Sequence, residues 1–184
     1  MLKMKKILGI LLAVCFLLSV TAAAVSAKEL PNIAGKKTDK AAEKTEMKTK
    51  KKMKGFSINI EKATLENDNF RKVLYTSKYS QLVLMSLKPG EEIGMEVHKE
   101  NDQFFRFEEG QGKCIINGNE YEVVKGSAVV VPAGAQHNVI NTLKTGSLKL
   151  YTIYSPPHHK DGIVRATKKE AEDNEAKFDG VTTE

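Results

Sequence analysis

Ten short runs rich in β-branched and aromatic residues fill the stretch from Gly55 to Tyr154, and turn residues cut most of them apart. The runs are Phe56–Ile60, Lys72–Tyr75, Gln81–Leu87, Gly94–His98, Gln103–Phe107, Lys113–Ile116, Glu120–Val124, Ser127–Val131, Asn138–Asn141 and Leu148–Tyr154. Breaks fall at Pro89-Gly90, Gly110 with Gly112, Asn117-Gly118-Asn119, Lys125-Gly126, Pro132 with Gly134, and Gly146. Asn117-Gly118 between two β-rich runs is a tight-hairpin signal, because both residues tolerate the positive φ of a type I′ turn. Many short strands at close spacing predict an all-β sandwich or barrel. The lack of interleaved helices excludes a doubly wound α/β fold.

The flanks are different in kind. Lys3, Lys5 and Lys6 precede an uncharged apolar run, Ile7 to Val20, and Val25-Ser26-Ala27 supplies small residues after it. This order predicts a secretory signal peptide over residues 1–27, and hence a secreted or extracytoplasmic protein. The apolar run is shorter than the span of about 20 residues that a membrane requires. Cleavage would remove Cys15 and leave Cys114 alone, so no internal disulfide is expected. Cys114 lies in a strand-like run and reads as a small buried hydrophobe. Residues 28–54 hold ten lysines and few apolar residues. They read as a disordered linker, with electrostatic contact to an anionic envelope as its sharper use. Much of the net charge of +6 sits there. Nucleic acid is not an expected partner, because no aromatic residue is interleaved for stacking. After Pro156-Pro157 the β pattern ends, and Thr167 to Lys177 predicts a short surface helix with Thr167 as N-cap and Glu170 three residues on.

Two segments carry chemistry. The second reads Gly126, five residues, Pro132-Ala-Gly134, two residues, His137, three residues, Asn141. Gly126 permits a turn, a β-branched strand follows, and Pro132 with Gly134 makes a corner that delivers His137 inward onto the next strand. The first runs from Gly90 to Gly110 and holds Glu96, His98 and Gln103. Glu96 and His98 are two apart and share a strand face, as do Gln103, Phe105 and Phe107.

The second segment matches the second motif of the cupin family at every fixed position. The first resembles that family's first motif, with Glu96 where a histidine is usual and Gln103 where a glutamate is usual. The resemblance covers residues 55–165. It implies a double-stranded β-helix, the jelly-roll barrel, ahead of a polar C-terminal helix and tail at residues 166–184. It also implies a divalent metal (iron, manganese, zinc or nickel) held by Glu96, His98, Gln103 and His137, and a homodimer. Two imidazoles and a carboxylate have the composition of the triad that holds Fe(II) with open positions. Gln103 is a weaker oxygen ligand or a residue that orients Glu96 or a bound water.

The remaining polar residues read as structural. Asp102 and Arg106 alternate away from the pocket, Arg106 toward an outer face or dimer interface. His158 and His159 read as exposed loop residues, with capping of the barrel mouth or proton transfer as the alternative. No lysine or arginine can be assigned to the interior. Leu148–Tyr154 is apolar on both faces and is expected to be covered on both sides, by a second subunit. The functional expectation is a metal-dependent dioxygenase, decarboxylase or isomerase acting on a small oxygenated molecule or sugar. The alternatives are a metal-free barrel that binds a small ligand without catalysis, and an envelope-tethered module whose basic linker matters most.

Overall fold

A computed structural model describes residues 52–184. The segment expected to be a signal peptide and nearly all of the lysine-rich stretch lie outside the described residues. Ten strands are present: β1 (Arg71–Thr76), β2 (Gln81–Leu87), β3 (Glu96–Val97), β4 (Asp102–Glu109), β5 (Gln111–Ile116), β6 (Asn119–Val124), β7 (Ala128–Val131), β8 (Gln136–Asn141), β9 (Leu148–Ser155) and β10 (Val164–Arg165). Among the described residues two short helices flank them, α1 (Ile60–Leu65) and α2 (Lys168–Asp173). All pairings are antiparallel. A six-stranded sheet runs β10-β1-β2-β9-β4-β7, and a four-stranded sheet runs β3-β8-β5-β6. This is the all-β jelly-roll barrel that the sequence predicts.

Local chemistry explains the folds in the chain. Asn117 and Gly118 take φ of 49° and 81° and close the β5–β6 hairpin. Gly110 turns β4 into β5 at φ 88°, where a Cβ would lie 2.5 Å from the Ser147 carbonyl oxygen. Alternation along β4 buries Gln103, Phe105 and Phe107 and turns Asp102 and Arg106 outward. They meet Val83, Met85 and Leu87 from β2, Leu148, Leu150 and Tyr154 from β9, and Cys114 and Val139 from the facing sheet. Cys114 is fully buried, and burial pushes its thiol up to about 11, which suits packing and not nucleophilic attack.

Three expectations change. Phe56–Ile60 is not a strand: Asn59 caps α1 by accepting from the Lys62 N–H at 3.0 Å, and Phe56 stacks on Tyr75. The outer face of β9 is covered in part by this chain's own α1 segment, since Lys149 Nζ donates to Leu65 O at 2.5 Å and to Asp68 at 2.9 Å. The C-terminal helix has its Thr167 cap, with Glu170 reaching back to the Ala166 N–H at 2.8 Å. It is shorter than predicted and not wholly superficial, because Ala171 joins the core. Residues beyond it pair with the chain after β9: Lys160 N–H donates to Ala176 O, and Phe178 N–H to His158 O, both at 2.9 Å.

Candidate metal centre

Both sheets supply the site. Glu96 on β3 stands directly opposite His137 on β8. His98 follows β3 by one residue, and its carbonyl accepts from the Gly134 N–H at 2.8 Å, which ties it to the Pro132–Gly134 corner. Gln103 comes from β4 of the other sheet, paired on its two sides with Val131 and Tyr154. The corner therefore fixes two histidines at once, one through its backbone and one through the strand it launches.

The donor atoms converge. Glu96 Oε1 lies 3.1 Å from His98 Nε2 and 3.4 Å from His137 Nε2. Gln103 Oε1 lies 2.9 Å from His137 Nε2. His137 is 1% exposed and Gln103 1%. The other ring nitrogen of His137, Nδ1, lies 3.1 Å from Ala135 O, and a carbonyl can only accept, so Nδ1 carries a proton. A neutral His137 then turns the lone pair of Nε2 toward two oxygens. Such an arrangement requires a proton or a cation among these atoms, and the Nδ1–H···O=C bond is the outer contact that orients a metal-ligating histidine.

Electrostatics point the same way. Burial pushes the Glu96 carboxyl up, but where the two imidazoles are protonated their hydrogen bonds and charges outweigh it and hold it well below the usual carboxylate range, and a bound cation in place of those protons would act in the same direction. Glu96 is therefore an anion facing two imidazoles. Ligand atoms of Glu96, His98 and His137 all lie within 4.8 Å of one another. Two nitrogens, one carboxylate oxygen and a buried neutral amide fit a divalent metal with open coordination positions. Gln103 Nε2 is buried without a partner, so the amide is not committed to any structural hydrogen bond at that end. Asp102 stays outside, as the alternation predicts, where its carboxylate accepts from the Ala133 N–H at 2.9 Å.

The site opens on a cavity of about 410 Å³. Here one reading is overturned. His158 and His159 are not exposed loop residues: His159 is 3% exposed, His158 is half-buried, and both line the cavity. Asn101 Nδ2 donates to Pro156 O at 2.6 Å, which holds the loop back over the barrel end. All four histidines of the chain stand in one row, with ring centroids 5.3 Å apart for His98–His137, 4.2 Å for His98–His158 and 4.8 Å for His158–His159. Arg71, Lys168 and Lys177 also line the cavity, where the sequence assigned no basic residue. For Arg71 a signal exists, since it lies two residues before buried Val73 on β1. For Lys168 and Lys177 none does, because only the packing of the tail brings them there.

An antiparallel double-stranded β-helix with two histidines and a carboxylate converging near one end defines the class. Residues 83–154 match the Cupin_2 family model, described as a cupin domain. YrkC, an uncharacterized protein of Bacillus subtilis (strain 168), is 48% identical over 124 residues, which cover 64% of this chain and 66% of that protein. An uncharacterized protein of Acanthamoeba polyphaga mimivirus is 43% identical over 112 residues, 59% of this chain and 70% of that one. The crystal structure of BH2720 from Bacillus halodurans superposes with a TM-score of 0.64 at 42% identity, covering 66% of this chain and 96% of that one. The chain belongs to the cupin family. The matched window holds Glu96, His98, Gln103 and His137, and stops short of Arg71, His158, His159 and the tail.

Proposed function

We propose that this is a metal-dependent cupin acting on a small oxygenated organic molecule, with dioxygenase, decarboxylase and isomerase as the candidate reaction types. The observation that carries the reading is the convergence of Glu96, His98 and His137 with the His137 tautomer set by Ala135 O. Those three residues would hold the metal, and Gln103 would orient it or serve as a fourth, neutral ligand. A divalent metal with open positions supplies Lewis-acid polarisation of a substrate oxygen, or activation of water or dioxygen. The chain's own contribution is to keep Glu96 ionised, to present the lone pair of His137 Nε2, and to enclose the substrate beside His98, His158 and His159, which line the cavity. Burial first, and then the charge of Glu96, hold the Tyr154 phenol protonated, so it can donate a hydrogen bond but does not act as a base.

The test is metal content by elemental mass spectrometry on protein from Lys28 onward, purified without chelator, beside a His98→Ala/His137→Ala double variant. About one metal per wild-type chain, lost in the variant, is the expected result. A well-folded wild type that takes up no metal after supplementation would overturn it. Iron would then direct assays to oxygen chemistry, and zinc, manganese or nickel to hydrolysis, decarboxylation or isomerisation.

Export and self-association belong to the same proposal. The basic start and apolar run of residues 1–20, with Val25-Ser26-Ala27 behind them, support secretion, and N-terminal sequencing of the mature protein should begin at Lys28. The lysine-rich segment would then place a cationic spacer beside the envelope. Light scattering of the purified domain is expected to give the mass of a dimer.

A further inference from the structure

The cavity beside the triad holds a cation with no partner. Arg71 Nε is buried and makes no hydrogen bond, and among the described residues nothing pairs with the guanidinium. Its recorded contact is with the Phe70 ring, 5.7 Å from Cζ to the centroid, which leaves the N–H groups free. His159 stands beside it with both ring nitrogens buried and unpartnered. Arg71, His158 and His159 line the same cavity. Glu96 is already engaged by His98 and His137, Lys168 lies 3.8 Å from Glu172, and Glu175 and Lys177 stand exposed at the rim. Arg71 is half-buried, with its Nε–H sealed from water and unpaired; a buried donor left without an acceptor is costly, and a ligand in the cavity would supply one.

We infer that Arg71 is the anchor for a small carboxylate, held in the cavity with its far end toward Glu96, His98 and His137. Arg71 Nε–H and a neighbouring Nη–H form the planar fork that grips a carboxylate side-on. His159, kept neutral by burial and by the adjacent Arg71, offers one donor and one acceptor to the same end of the ligand. A volume of about 410 Å³ is at the small end for ligand pockets, which suits a short hydroxy-, oxo- or dicarboxylic acid and not a long chain. The inference rests on the cavity being the ligand site of the proposed function. It adds the substrate class.

The experiment is calorimetric titration and thermal-shift measurement of the purified chain with pyruvate, lactate, malonate and succinate. Lactamide and malonamide serve as neutral counterparts, inorganic phosphate as the rival anion, and metal content is measured on every sample. Saturable binding of at least one acid, with no binding of its amide, is expected. Arg71→Met should weaken that binding about 10- to 100-fold with metal content unchanged, and Arg71→Lys should restore part of it. Failure of every acid to bind wild type, equal binding of acid and amide, binding of phosphate alone, or undiminished binding in Arg71→Met would each overturn the inference. Acid binding without any metal would leave it standing and sink the metal reading. Metal without acid binding would do the reverse.

Discussion

At the scale of single residues, the site depends on which atoms carry protons. Ala135 O holds the proton of His137 on Nδ1 and leaves Nε2 to face Glu96 and Gln103. Gln103 contributes only a neutral oxygen there. Gln103→Glu would add a formal negative charge 2.9 Å from a ligand nitrogen, so metal affinity, read by competition with a chromophoric chelator, is expected to rise about tenfold or more. An unchanged affinity would mean that the amide stands outside the coordination sphere. His158 and His159 predict a pH dependence. Burial first, then the charge of His98, pushes His158 down to about 4, and burial with Arg71 pushes His159 well below 6.5. The unfolded chain therefore binds these protons first. Stability is full above pH 6.5 and falls as pH drops from there toward 4. Glu96, also depressed, acts below this window, since its contribution is present above 4.5 and is lost only as pH falls further. Denaturant midpoints of the metal-free protein should decline between pH 6.5 and 4.5, and a His158→Gln/His159→Gln variant should decline less.

At the scale of elements, turn glycines and the last motif residue act as clamps. Gly110 combines a positive φ with a Cβ position 2.5 Å from Ser147 O and 2.9 Å from Leu148 Cα. Gly110→Ala is expected to lose about 2–4 kcal/mol from backbone strain and collision together, measured by denaturant unfolding. Asn141 is fully buried, donates to Leu87 O and Gly146 O at 3.0 Å each, and accepts from the Leu143 N–H at 3.0 Å. It fixes the β8–β9 turn and touches no site residue in these contacts. Asn141→Ala should cost roughly 2–4 kcal/mol by stranding those groups, yet leave metal stoichiometry intact in the folded fraction. The strands were legible because period-two burial and turn residues are local signals, and His98, His137 and Glu96 were legible because the same alternation and the Pro132–Gly134 corner set their faces. The α1 segment was not, since Phe56, Ile58 and Ile60 alternate like a strand and the deciding interaction is one Asn59 cap. His158 and His159 were hidden for a different reason: two prolines suggest a surface loop, and only the return of the tail buries them.

At the scale of the whole molecule, the tail decides where the domain ends. The sequence places a boundary at Arg165, where alternation stops and polar residues take over. In the fold, Ala171 is in the core, residues 176–178 pair with 158–160, and Thr183 exchanges hydrogen bonds at 2.9 Å with the Thr76 backbone. Lys168, Ala171, Glu172, Glu175 and Lys177 form one wall of the cavity. A polar segment held by backbone pairing carries no hydrophobic period, so composition alone marks it as an appendage. Truncation after Arg165 separates the two views. It removes about four backbone hydrogen bonds to the barrel, at roughly 0.5–1.5 kcal/mol each, together with the buried Ala171 methyl. The expected loss is about 3–5 kcal/mol, against a total that for domains of this size is about 5–15 kcal/mol. The truncated chain should therefore still fold, with a lower thermal midpoint, and should exchange the amide hydrogens of Phe70 and Lys160, which donate to Ala166 O and Ala176 O, faster than the full chain. The same cut opens the wall over His158 and His159, so their titration should move back toward 6.5, which NMR of the imidazole protons can follow. An unchanged midpoint with unchanged exchange would make the tail an ornament of the barrel, with the cavity walled by β1, by Glu96–His98 and by the His158–His159 loop.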